Sequence, residues 1–128
     1  MDKIKKVGKE GDSFDLSTNN NSKDEHIQAG IRPAVIISND INNKYCPCVQ
    51  IIPLTTKYDG LPQHRYIYVK GLRNYVLPEQ VLTIPKSKLL RKYEVLSKGY
   101  FLQVIDALNI QLGRYKRRYY ERYKTDNL

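Results

Sequence analysis

The sequence holds only two cysteines, Cys46 and Cys48. Separated by Pro47 alone, they frame no disulfide, because a bridge across one residue would be strained; with no second Cys/His pair nearby they frame no metal site either. Such usage fits a reducing cytoplasm. No apolar run approaches the roughly 18 residues that a membrane helix needs. The opening Met1-Asp-Lys-Ile-Lys-Lys6 lacks the apolar stretch of a secretory signal. A Gly-rich phosphate loop, a metal-ligand cluster and a Ser-His-Asp order are missing as well, so no membrane association, no metal and no cofactor is expected. Acidic residues are also scarce: 13 Asp and Glu stand against 22 Lys and Arg, a net charge of +9 with a pI near 9.5. That imbalance suits a polyanionic partner, most simply nucleic acid. It suits equally a solubilising surface whose excess sits in the tail, where Arg114, Lys116, Arg117, Arg118, Arg122 and Lys124 face only Glu121 and Asp126.

At 128 residues the chain is one domain, 1–128. Within it, 1–10 reads as a loose lead-in and 114–128 as a basic, Tyr-rich extension. The stretch Gly30 to Asn43 organises the rest. Arg32 stands at the mouth of an unbroken apolar run, Ala34 to Ile37, which stops in the polar turn Ser38-Asn39-Asp40. Such a run bounded by Gly/Pro and Asn/Asp reads as a buried strand. Pro33 fits its first position, where no ladder donor is needed. Arg32 is thereby held where a core strand leaves a loop.

Ser13–Leu16 alternates as a short strand would, and the Asn-rich 17–27 reads as a surface loop. Cys48–Leu54 predicts a second buried strand pairing with the first, with an edge or bulge at Pro53; Thr55 and Thr56 lie at its exit, before a turn at 57–60. Further strands are expected at 65–69, 75–77 and 80–84, with a turn at 70–74. Pro85 predicts the first turn of a short helix through Leu90, capped by Thr83 or Ile84. Ser97 suits the N-cap of a last helix whose stripe is Phe101, Ile105, Leu108 and Leu112, continuing to Tyr115 and Tyr119, with Gly113 a weak point. Several short strands followed by two helices indicate α+β, a small curled sheet or barrel with helices packed on one side.

The candidate chemical groups are isolated: Gln28, Arg32, Thr55, His64 and Glu79. Each has an ordinary alternative. Arg32 could be a surface or salt-bridge residue, Thr55 and Thr56 could serve β-structure or a turn, and Glu79-Gln80 could be a local polar pair. His64 could titrate as an acid or base with its ordinary pKa near ~6.5, or simply sit in a loop. The Tyr/Arg tail could stack on bases, or form a solvated helix end or docking surface.

Taken together, these residues resemble the MazF/PemK family of bacterial toxin endoribonucleases. The matching pieces come in family order. They are Gln28-Ala-Gly-Ile-Arg-Pro33, Ile36-Ile-Ser-Asn-Asp40 with Asn43, Ile52-Pro-Leu-Thr55, Leu61-Pro-Gln-His64, Leu77-Pro-Glu-Gln80 and Thr83-Ile84. The match runs from about Gly11 to Leu112 and leaves the basic extension outside. The resemblance implies an SH3-like small β-barrel of the MazF/PemK/CcdB type, with a short helix and a long C-terminal helix, forming a homodimer in the bacterial cytoplasm. It implies metal-independent cleavage of single-stranded RNA at a short sequence, leaving a 2′,3′-cyclic phosphate and a 5′-hydroxyl. It implies a MazE-like antitoxin as partner, with DNA contacted only indirectly through antitoxin autoregulation. By the family pattern Arg32 and Thr55 are the catalytic pair, and Gln28, Thr56, Lys57, His64 and Gln80 belong to segments near the RNA groove. The same fold family also includes a gyrase poison that cleaves nothing, and members that only bind nucleic acid or antitoxin are conceivable.

Overall fold

The computed structural model describes residues 8–17 and 31–114. In chain order they form β1 (Asp12–Ser17), β2 (Ile31–Ile36), α1 (Asp40–Tyr45), β3 (Cys48–Thr55), β4 (Tyr66–Val69), β5 (Leu72–Val76), a 3-10 turn (Pro78–Gln80), β6 (Leu82–Pro85), a second 3-10 turn (Lys86–Lys88), β7 (Leu89–Val95) and α2 (Lys98–Gln111). The seven strands make one antiparallel sheet in the order β4-β5-β3-β2-β1-β7, with β6 added to β3. Register shifts in the β1–β7 pairing, around Phe14, curl the sheet into the expected small barrel. None of the described helices is long and apolar enough to cross a membrane.

The unbroken apolar run of β2 has a direct explanation: both faces of this strand are buried. Ala34 and Ile36 point into one cluster with Phe14, Leu16, Val49, Ile51, Ile84 and Leu89, the barrel interior. Val35, between them, points the other way, into a cluster with Ile52, Leu54, Ile67, Val69 and Val76 that α2 covers with Val104 and Ala107. A strand covered on one face alone would alternate instead.

β3 is the central strand, bonded to β2 along one flank. Its other flank is shared: β6 pairs with Cys48–Ile51 and β5 with Leu54 and Thr55. Pro53 therefore sits inside a central strand, not at an edge. Ladder directions alternate along a strand, and the Pro53 carbonyl accepts from Leu77 N on the shared flank. Its missing donor thus falls where β6 has ended and β5 is beginning, so no ladder bond is lost.

Between β2 and β3 the polar turn continues into α1. The Asn39 side chain caps this helix by accepting from Asn42 N at 2.8 Å. Buried Asn43 donates to Ser38 O at 2.8 Å, and Ser38 Oγ accepts from Gln50 N at 3.0 Å. The Ser-Asn-Asp…Asn pattern is thereby a structural clasp that fixes the exit of β2 against β3. At the β1 end, Asp12 is fully buried, its Oδ2 accepting from Gly8 N and Lys9 N at 3.0 Å each, with Lys92 Nζ 3.4 Å from Oδ1.

Four local expectations are corrected. The 70–74 turn is the two-residue Lys70-Gly71, with φ of 57° and 73°, a tight hairpin whose positive angles match strand twist. The strand expected at 80–84 starts later, because Pro78–Gln80 forms a 3-10 turn first. The helix expected at 85–90 is absent: Pro85 ends β6, and after one 3-10 turn the chain enters β7, which adds to the sheet alongside β1. Finally, α2 is capped by Ser97 as expected, but it buries Val104 and Ala107, with Tyr100, Phe101 and Leu108 beside them, while Leu112 is 61% exposed. The inward stripe is therefore rotated from the expected one, and small Ala107 sets its centre. Gly113 ends the helix rather than weakening it, with φ 77° and its N–H on Ile110 O. Tyr115, Tyr119 and the rest of the basic extension lie outside the described residues.

Candidate active site

Side chains on β2 alternate, so Arg32 shares the face of Ala34 and Ile36, at the strand end where the barrel interior opens. It is half-buried, and its Nε donates to Leu54 O across the β2–β3 boundary at 3.4 Å. The ladder pairs Ala34 with Pro53. Continuing that register by two residues sets Arg32 opposite Thr55. Burial pulls the Arg32 pKa down from its ordinary value, and the negative charge of Glu79 pulls it back up. The guanidinium stays a cation, held in a partly dry setting where its field is less screened than at the surface.

Thr55 ends β3, half-buried. Its Oγ1 accepts from Lys57 N at 3.2 Å. One lone pair is thereby occupied, which leaves the hydroxyl proton available to a ligand oxygen. Thr56 and Lys57 follow, both exposed.

His64 is placed differently from a groove residue. Its side chain is 3% exposed, with Nδ1 2.7 Å from Asp59 Oδ1 and Nε2 2.9 and 3.0 Å from the two oxygens of Glu79. Both ring nitrogens are committed, so the imidazole joins two carboxylates and has no nitrogen left for a substrate. The partners are more open: the Asp59 side chain is 53% exposed and that of Glu79 35%. The Leu61 N–H, ahead of His64 itself, holds the Asp59 carboxyl below its ordinary value. Gln80, next to Glu79, is exposed, its N–H bonded to Leu77 O. Gln28 lies outside the described residues.

The fold thus brings together Arg32 and Thr55 on neighbouring strands and adds Glu79, held by His64, to the field around Arg32. Among the described residues no three His, Cys, Asp or Glu side chains converge as a metal-binding group. Sequence reasoning passed over Asp59 altogether and named Glu79 as a candidate group, with a local polar pair as its simplest reading, without giving it a place in the site. The pairing of His64 with residues five before and fifteen after it leaves no periodic signal that could have revealed it.

A phosphate seated between Arg32 and Thr55 would meet one fixed positive charge and one hydroxyl donor, with a carboxylate beside them. The family model described as the PemK-like, MazF-like toxin of type II toxin–antitoxin systems matches residues 13–112. The Endoribonuclease MazF of Staphylococcus epidermidis is 38% identical over 95 residues, covering 67% of this chain and 77% of that protein. Its namesake from Staphylococcus saprophyticus is 37% identical over 92 residues, with the same coverage. Among solved structures, a MazE–MazF crystal structure from Deinococcus radiodurans superposes with a TM-score of 0.66 at 24% identity, covering 84% of this chain and 96% of that one. A mycobacterial endoribonuclease in complex with its cognate antitoxin gives 0.65 at 21%, covering 82% and 94%. On the strength of that family match and of the staphylococcal relatives, the chain belongs to the PemK-like, MazF-like toxin family of type II toxin–antitoxin systems.

Proposed function

We propose that this toxin is a sequence-specific endoribonuclease that cuts single-stranded RNA without a metal ion, by attack of a ribose 2′-hydroxyl on the adjacent phosphate. The products are a 2′,3′-cyclic phosphate and a 5′-hydroxyl. The observation that carries the reading is the adjacency of Arg32 and Thr55 at the open end of the β2–β3 pair, supported by the named activity of the staphylococcal relatives.

The chemistry follows from the groups. Negative charge grows on the non-bridging oxygens as the 2′-oxygen closes in line. A planar, permanently protonated guanidinium matches two of those oxygens and, fixed by Leu54 O, needs little reorganisation to do so. The Thr55 hydroxyl donates to the same phosphate. Arg32 is a poor base, since a guanidinium releases its proton only far above neutrality. The 2′-hydroxyl proton is assigned to Glu79, whose charge Arg32 already feels and whose carboxylate His64 aligns; the P–O5′ bond breaks as the P–O2′ bond forms, and water protonates the departing 5′-oxygen. His64 is then a positioning residue. Thr56, Lys57 and Gln80, exposed around this opening, and Gln28 on its own segment, contact the RNA.

A MazE-like antitoxin covers the site, as membership of a two-component family implies, and the toxin acts as a homodimer in the bacterial cytoplasm. The test is cleavage of a long single-stranded RNA in EDTA by the protein and by Arg32→Ala, with fragment ends sequenced. Discrete cuts bearing 5′-hydroxyl ends, absent in the variant, support the nuclease. A folded protein that makes no cuts refutes it and turns attention to a gyrase-poison role.

A further inference from the structure

The row that begins with Arg32 and Thr55 does not end there. Thr55 pairs with Tyr75 on β5, and Tyr75 pairs with Tyr66 on β4. Directly paired residues point to the same face, so Arg32, Thr55, Tyr75 and Tyr66 form one transverse line on the face away from α2. Three strand gaps give it a span of about 14 Å. The neighbours on that face extend it. Tyr58, from the loop after β3, stacks on Tyr75 with ring centroids 4.6 Å apart and planes 22° from parallel. Arg73 lies 4.6 Å above the Tyr66 ring and donates from Nη2 to the Tyr68 hydroxyl at 2.9 Å. Tyr58 is 57% exposed and Tyr66 49%.

The geometry points to a base-stacking subsite for single-stranded RNA, formed by Tyr58, Tyr75, Tyr66 and Arg73, that receives nucleotides adjoining the phosphate held by Arg32 and Thr55. The assignment rests on the nuclease reading above and adds to it a place for the bases. A cross-strand tyrosine pair alone would merely stiffen a hairpin. Tyr58, however, comes from a loop outside the ladder, and its stack on Tyr75 leaves a broad aromatic face in solvent, directly in line with Thr55. Charge favours a nucleic acid over a protein as occupant: Arg73 is the cation set among these tyrosines, and the hairpin 65–76 carries no acid. Base–aromatic stacking suits any base, with Arg adding a phosphate or π contact.

The measurement is fluorescence anisotropy of a fluorescein-labelled, 2′-O-methylated RNA 12-mer pool of randomised sequence, which binds but offers no attacking hydroxyl. It is titrated with the wild-type protein, Tyr58→Ala, Tyr66→Ala, Arg73→Ala and Tyr58→Phe, each first checked for an unchanged melting temperature, and each also run by sedimentation velocity. Loss of one stacked base predicts roughly tenfold weaker binding or more for the two Tyr→Ala variants. Tyr58→Phe keeps the ring and should stay within about threefold of wild type. If every alanine variant binds within twofold of wild type, the subsite is refuted, and if wild type cuts RNA all the same, the nuclease stands without it. Wild type that binds the pool through these tyrosines yet cuts no unmodified RNA refutes the nuclease and keeps the stacking surface. A sedimentation change in Tyr66→Ala, with RNA affinity unaltered, makes this face an interface between copies and overturns the proposal.

Discussion

His64 Nε2 lies 2.9 and 3.0 Å from the two oxygens of the Glu79 carboxylate, inside a pocket that leaves the imidazole 3% exposed. The ring cannot turn toward a substrate without surrendering both this contact and that to Asp59. In the proposed mechanism it therefore acts through Glu79. In Glu79→Gln, kcat should fall by about 10²- to 10⁴-fold with KM little changed, the range expected for loss of a general base. In His64→Ala, kcat should fall by on the order of 10²-fold because the carboxylate is misplaced, and the melting temperature should fall because a buried ring and both of its contacts are lost. The pH–rate profile of His64→Ala should keep the wild-type shape at reduced height. A limb near neutrality that disappears in this variant would return the base role to His64.

Arg32 and Thr55 make separable demands. Arg32→Lys retains the charge but gives up the planar two-pronged donor and the Nε contact to Leu54, so kcat should drop by about 10²-fold or more, as for loss of a transition-state donor. Thr55→Val removes one neutral hydrogen bond and should cost about tenfold. Single-turnover cleavage with saturating protein reads both. Equal losses in the two variants would contradict the division of labour between charge and hydroxyl.

The sequence exposes what depends on nearest neighbours along the chain and hides what depends on pairing. Arg32 was legible because proline, an apolar run and a polar turn bracket it, and Ser97 because capping is local. β7 was not. Arg91, Lys92 and Glu94 weaken its apolar alternation, and it is a strand because β1 offers an edge to pair with and Leu89 packs beside Phe14 and Leu16. The helix expected from Pro85 gave way to the same pairing. On α2, apolar residues occur on several sides, and the choice of Val104 and Ala107 as the inward face follows from the sheet beneath them. At the site, Asp59, His64 and Glu79 meet only because a loop folds back under the 3-10 turn at Pro78. The aromatic row exists only once β3, β5 and β4 are in register.

The loop after β3 should loosen in acid. The Leu61 N–H and His64 hold the Asp59 carboxyl below its ordinary value in the folded protein. A depressed folded-state value means that ionised Asp59 contributes stability fully above the unfolded pKa of roughly 3.9, and that this is lost as pH falls through the lower folded value. Asp15 acts in the opposite sense, because burial raises its carboxyl, with Lys70 and Arg91 pulling it down, so its contribution grows as pH falls. The difference in melting temperature between wild type and Asp59→Asn, followed from pH 6 to about pH 3, cancels Asp15 and should shrink toward acid. A difference that stays constant over this range would show that the Asp59 charge does not secure the loop.

The basic extension offers a test that depends on charge alone. Arg114, Lys116, Arg117, Arg118, Arg122 and Lys124 give six cations against Glu121 and Asp126. Each phosphate that such a segment neutralises on single-stranded RNA releases condensed counterions and steepens the fall of log K with log salt by about 0.7. Removing 114–128 should therefore flatten the salt dependence of RNA binding while the position of cuts, set by the barrel opening around Arg32 and Thr55, stays the same. Affinity at high salt should change far less than at low salt, because the lost contribution is screened there. An unchanged slope would mean that the extension does not touch RNA, and a changed sedimentation coefficient in the truncated protein would assign it to contact between copies instead.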